Sequence, residues 1–176
     1  MVGKVNILVV HLLVALLLLA FGCGRAQTAH QNVGQFDGYH FAQPTGYVSD
    51  LVQLFSKAQA DTLTEIIVGY EKETTNQIAV VALRDSVITS ANFKDYVTGL
   101  YNNWGIGTKE KNNGVLICIV PDMRMLRISN GYGIVNKLTD EETAKIIDDI
   151  MVPAFKKGNY YLGTKNALLA IMQKIK

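Results

Sequence analysis

Two apolar runs joined by a short turn limit what this chain can fold into. The first is Val115 to Val120 and the second Met123 to Ile128, with Pro121-Asp122 between them. Trp104-Gly105-Ile106-Gly107 and Lys111-Asn112-Asn113-Gly114 precede the pair, and Gly131-Tyr132-Gly133 follows it. Glycine and asparagine supply the positive φ that tight turns need. Such brackets around apolar, β-branched runs predict two strands in a hairpin. The same turns can also present backbone N–H groups to an anion, so Asn112, Asn113 and Tyr132 are candidate binding residues. Arg127 alternates with Ile128, which predicts the exposed face of its strand. There its guanidinium can take a phosphate or carboxylate bidentately, or pair with an acid of the chain itself.

The flanking segments predict the other elements. Ser56-Lys57-Ala58-Gln59 reads as a capping box. Leu63, Ile66, Ile67 and Tyr70 follow at helical spacing, and that helix should end near Thr74. Gln77 to Leu83 reads as a buried strand. Phe93 to Trp104 reads as a second helix. Thr139 to Glu142 is a second capping box, and Pro153 should stop or kink the helix it opens. A last helix is expected near Tyr161 to Ile175, and Tyr47 to Val52 can add an edge strand. A helix between the first two core strands favours a right-handed parallel crossover. The expected fold is α/β, a small mixed sheet sandwiched between helices.

The N-terminus reads as a leader. Lys4 precedes an apolar run from Ile7 to Phe21, broken only by His11. That suits a signal peptide and is short for a membrane span, although an uncleaved anchor is the alternative. Two processing readings stand. Gly24-Arg25-Ala26 suits cleavage before Gln27, and Ala20-Phe21-Gly22-Cys23 resembles a lipobox that would leave a lipidated Cys23. Residues 1–26 are thus expected to be a leader, 27–46 a flexible linker and 47–176 one domain. Export to the periplasm, free or as a lipoprotein, follows. Membrane contact is then expected only through the N-terminus, if Cys23 is lipidated.

The leader also explains the formal charge of +2, since it contains Lys4 and Arg25 and no acid. The remainder is balanced, which removes the electrostatic case for nucleic acid. Cys118 is the one cysteine beyond the leader and reads as a small buried hydrophobe. An internal disulfide framework is therefore excluded. The histidines, His11, His30 and His40, all fall in the leader or linker. That excludes a Ser/His/Asp or Cys/His arrangement inside the domain.

Taken in order, these segments resemble the TPM-domain family of bacterial envelope, thylakoid-lumen and some animal membrane proteins. Val48-Ser49-Asp50, Asn103 to Gly107, Lys111 to Leu116, Gly131-Tyr132-Gly133, Pro153-Ala154-Phe155 and Gly158-Asn159-Tyr160 carry the likeness. The resemblance implies an α/β/α sandwich. It also implies functions linked in that family to metal binding, acid phosphatase activity and membrane complexes. This chain has Asn112, Ser129-Asn130 and Ile134-Val135 where the family often has an acid, so oxygen ligands are lost.

Carboxylates remain the candidates for a hard cation such as Ca²⁺ or Mg²⁺. Asp148 and Asp149 form the leading pair, with Asp50 and Asp122 able to complete a set if the fold gathers them. A solvated acidic helix face is the plain alternative. Two functions are therefore expected. The favoured one is an exported accessory or binding module that meets an envelope or membrane protein and takes a divalent cation. The alternative is a metal-dependent acid phosphatase.

Overall fold

Every residue of the strand Gly114–Val120 (β3) is buried, as the apolar run requires of a strand covered on both faces. It lies inside a four-stranded sheet in a computed structural model that describes residues 38–176. The leader, Cys23 and the first part of the linker lie outside the described residues. Among the described residues no helix is long and apolar enough to cross a membrane.

The sheet order is β1 (Val48–Asp50), β2 (Gln77–Ala82), β3 and β4 (Met125–Asn130). β1, β2 and β3 run parallel, and β4 returns antiparallel to β3. Helix α1 (Lys57–Thr74) joins β1 to β2, and α2 (Phe93–Trp104) joins β2 to β3. The chain then runs through α3 (Asp140–Lys145), α4 (Val152–Lys156) and α5 (Tyr160–Ile175). Both capping boxes form, at Ser56 and at Thr139.

Strand alternation sorts the core into two layers. Ile78, Val80, Ile117 and Ile119 pack with Leu63 and Ile67 of α1 and Leu168 and Ile171 of α5. Ala79, Val81, Leu116 and Cys118 face Tyr96, Val97 and Leu100 of α2. The α/β/α sandwich expected from the sequence is present.

The same sorting sets the hands of the two crossovers relative to each other. The strands step in one direction from β1 to β3, while α1 and α2 cover opposite faces. Two parallel crossovers that step the same way on opposite faces have opposite hands. One of the pair is therefore left-handed, against the strong general preference.

Two local readings are also revised. Pro153 neither stops its helix nor breaks it, because a π-helical turn at Ile146–Met151 precedes it. The wider turn bonds the Val152 N–H to the Ile147 carbonyl, five residues back, and absorbs the missing proline donor. The second revision concerns the end of the expected linker, which packs on the domain. Tyr39 and Phe41 stack edge-on against Tyr96, and the Trp104 indole donates to the Ala42 carbonyl at 2.8 Å. Two aromatics and a half-buried indole donor hold this segment down, although it has no period to read.

Candidate functional site

The glycines and asparagines of the opening motif meet at the amino ends of β2 and β3. Asn113 is only 4% exposed. Its Oδ1 accepts the Thr108 N–H at 3.0 Å, and its Nδ2 donates to the Thr75 carbonyl at 2.7 Å and to Asn76 Oδ1. Gln77 extends the net, its Oε1 accepting the Gly107 N–H at 2.7 Å. Asn112 takes φ 47°, the left-handed region asparagine tolerates. Its N–H donates to Thr108, and its carbonyl accepts from Gly133 at 3.0 Å. The Gly131 N–H donates to Gly114 at 2.9 Å.

The backbones approach so closely that a β-carbon at Gly131 would overlap the Asn112 carbonyl. One at Gly133 would overlap that of Lys111. The N–H groups of Asn112, Gly131 and Gly133 are thus already committed inside the protein. This arrangement is a stitch between two loops, and those three donors are not held out to an anion. Tyr132, at the tip, is 87% exposed.

The four aspartates expected to gather around a cation are not brought to one point. Both Asp50 oxygens take backbone N–H groups, from Leu54 at 2.9 Å and Phe55 at 2.7 Å, closing the turn into α1. Asp122 pairs with the Arg84 guanidinium, and that hydrogen bond holds its carboxyl below the usual range. Asp50 ends β1 and Asp122 follows β3, two strand spacings or about 10 Å away. Asp148 and Asp149 stand exposed on the π-helical turn, on the far side of the later helices' apolar stripe. Among the described residues no three His, Cys, Asp or Glu side chains are close enough to share an ion. The donor set proposed from sequence therefore does not fit one cation.

What the sequence reading missed lies at the opposite end of β3. There a cavity of about 490 Å³ opens between the hairpin turn and α4. Ile119, Leu126, Val152, Phe155 and Tyr160 give it apolar walls, and Arg124 and Lys156 stand at its edge. The rings of Phe155 and Tyr160 lie 4.7 Å apart, tilted by 45°. Gly163 makes room for this pair, since a β-carbon there would come within 2.6 Å of the Phe155 ring. No acid and no histidine lines the cavity. Neither cation takes part in any of the ion pairs among the described residues.

Arg124 holds φ 52°, at the hairpin position usually given to glycine or asparagine. The left-handed region costs such a residue about 1 kcal/mol. A strained arginine at the mouth of a cavity is where strain and function tend to coincide. The position also has precedent in the physics of the fold: ligands of open α/β sheets sit beyond the carboxyl ends of the strands. The only sequence signals were Pro153-Ala154-Phe155 and Gly158-Asn159-Tyr160, which mark the wall without naming a cavity.

Comparison with known proteins agrees with the fold. A family model described as the TPM domain matches residues 48–174. The solution NMR structure of the N-terminal domain of a P. gingivalis protein is similar at 34% identity and TM-score 0.65. The match covers 73% of this chain and 81% of that one. The BA42 protein of the psychrophilic bacterium Bizionia argentinensis matches at 19% identity and TM-score 0.62, over 71% of this chain and 83% of that one. The N-terminal domain of the cg2496 protein from Corynebacterium glutamicum matches at 14% and 0.54, over 78% and 88%. The last two show the fold alone. No curated protein matches.

Proposed function

Since the chain belongs to the TPM-domain family, we propose that it is an exported binding module of the cell envelope whose ligand is an anionic amphiphile. The ligand's apolar body occupies the cavity at the end of β3, and its acid group meets Arg124 and Lys156. The observation that carries this reading is the cavity's composition among the described residues: apolar walls, two cations outside every ion pair, and no acid. Its volume falls in the range of small-molecule sites. Burial of an alkyl or aryl body supplies the affinity, and the cations set the sign of the head group. Export rests on the leader of residues 1–26.

The test is a calorimetric titration of the full-length protein with octanoate, with octylamine as the same body carrying the opposite charge. Saturable octanoate binding that octylamine does not match, and that Arg124→Gln with Lys156→Gln abolishes, is expected. Equal binding of the two probes, or none, overturns the assignment. Hydrolysis of p-nitrophenyl phosphate with and without chelator separates the catalytic alternative. Chelator-sensitive turnover lost in Asp148→Ala with Asp149→Ala would make the protein a phosphatase instead.

A further inference from the structure

On the α2 side of the sheet, β4 carries a second polar feature that the cavity does not use. Met125 packs with the α2 layer, so Arg127 and Ser129, at the same parity, share its face. In the ladder Arg127 lies opposite Cys118 and Ser129 opposite Leu116. The Arg127 Nε and the Ser129 Oγ are both buried and have no hydrogen-bond partner. Among the described residues no carboxylate lies within ion-pair distance of Arg127. Burial pushes the Cys118 thiol up to about 12, so it stays neutral and gives the guanidinium no counter-charge.

The next pair along the same face is Gly114 and Gly131, joined by the 2.9 Å bond. Both lack the β-carbon that would crowd the Tyr101 hydroxyl, at 2.7 Å and 2.6 Å. Burial alone pushes the Tyr101 hydroxyl up to about 12. Ser129 stands between Gly131 and Arg127, one two-residue step of about 7 Å from each. Two buried donors on one face of β4 thus lack acceptors among the described residues, and the Tyr101 hydroxyl of α2 stands beside the glycine pair that follows them. β4 is an edge strand, and among the described residues no strand pairs with its outer side.

A buried guanidinium N–H without an acceptor is costly, and native proteins rarely leave one so. We propose that Arg127, Ser129 and Tyr101 form a seat for an oxyanion, the carboxylate or phosphate group of a ligand entering from the open edge of β4. The Arg127 fork takes two oxygens side by side, and the Ser129 hydroxyl donates to one of them. The Tyr101 hydroxyl bounds the seat on the glycine side and donates to any longer group. This seat is separate from the cavity: Arg127, Ser129 and Tyr101 do not line the cavity, and Arg124 and Lys156 take no part in the seat.

The experiment is an NMR titration of the full-length protein with sodium phosphate and, separately, sodium acetate. Sodium chloride at matched ionic strength is the control. The Arg127 Nε–Hε signal is expected to move saturably, with the Ser129 amide and the Tyr101 ring following, and chloride is expected to leave all three in place. Tighter phosphate binding identifies a phosphate group as the natural one, and tighter acetate binding a carboxylate. Arg127→Lys keeps the charge but loses the fork, and should weaken binding about tenfold. Ser129→Ala, a smaller change, should weaken it less while amide dispersion stays native. Arg124→Gln, which acts on the cavity, should leave the saturable shift of the Arg127 Nε–Hε signal as it is in the parent. The proposal fails if neither anion gives a saturable shift beyond that of chloride, or if both Arg127→Lys and Ser129→Ala bind as well as the parent.

Discussion

The two ends of β3 use their polar groups in opposite ways. At the amino end, Asn113, Gln77 and the glycine amides bond to one another until little is left to offer a ligand. At the carboxyl end, Arg124 and Lys156 stand beside an apolar cavity, outside every ion pair among the described residues. One end has the strongest sequence motif and bonds to itself. The other has scattered, ordinary residues and leaves a cavity open. A conspicuous motif is thus no guide to where chemistry occurs; satisfaction of the polar groups is a better one.

Substitutions can break this contrast. The largest effect is expected from Gly131→Ala, whose methyl group has no room beside the Asn112 carbonyl. A loss of about 3 kcal/mol in urea unfolding is expected, as for severe overpacking. Asn113→Ala should follow at about 2 kcal/mol, because it strands buried partners at Thr75 and Thr108. If either variant unfolds like the parent, the amino end is not the stitch described.

The carboxyl end should answer differently. Arg124→Gly relieves the backbone strain at φ 52° and should raise stability by about 1 kcal/mol while weakening octanoate binding. Gly163→Ala drives the Phe155 ring toward the cavity. Its stability change should stay within about 1 kcal/mol, since alanine's helix propensity offsets the contact, but octanoate affinity should fall. A residue at neither end sets the scale for surface charge. The Lys174 hydrogen bond, then the Thr139 N–H, hold the Glu142 carboxyl below its usual range. Its contribution is full above the ordinary glutamate range and is lost as pH falls through the lowered value. Glu142→Gln should therefore lower stability slightly at neutral pH, leave it unchanged in acid where Glu142 is protonated anyway, and so flatten the acid limb of a stability-against-pH curve.

The sequence revealed local structure better than it revealed assembly. Ser56 and Thr139 announced their helices because a capping box is complete within four residues. The hairpin was equally plain, since both its strands and its turn are contiguous. Asn113 was legible as a turn residue but not as the hub it is, because its partner Thr75 is 38 positions away in the chain. The cavity was invisible for the same reason: β3, the hairpin turn, α4 and α5 each contribute a wall. Arg127 was expected on an open face and is half-buried instead, because α2 packs over part of β4.

The wholly buried strand β3 also has a consequence before the sheet exists. In the unfolded chain, Val115 to Val120 is an uncharged β-forming run, the composition that favours self-association. Its hairpin with β4 is a local event on a scale of about 1–10 μs. Pairing with β2 must wait for a long crossover through α2, so that edge stays open longer. Lys111 on one side and Pro121-Asp122 on the other interrupt the run where a neighbouring chain would extend it. Refolding yield against protein concentration, compared with a Lys111→Val variant, would show how far those few residues set the concentration at which this chain can fold without aggregating.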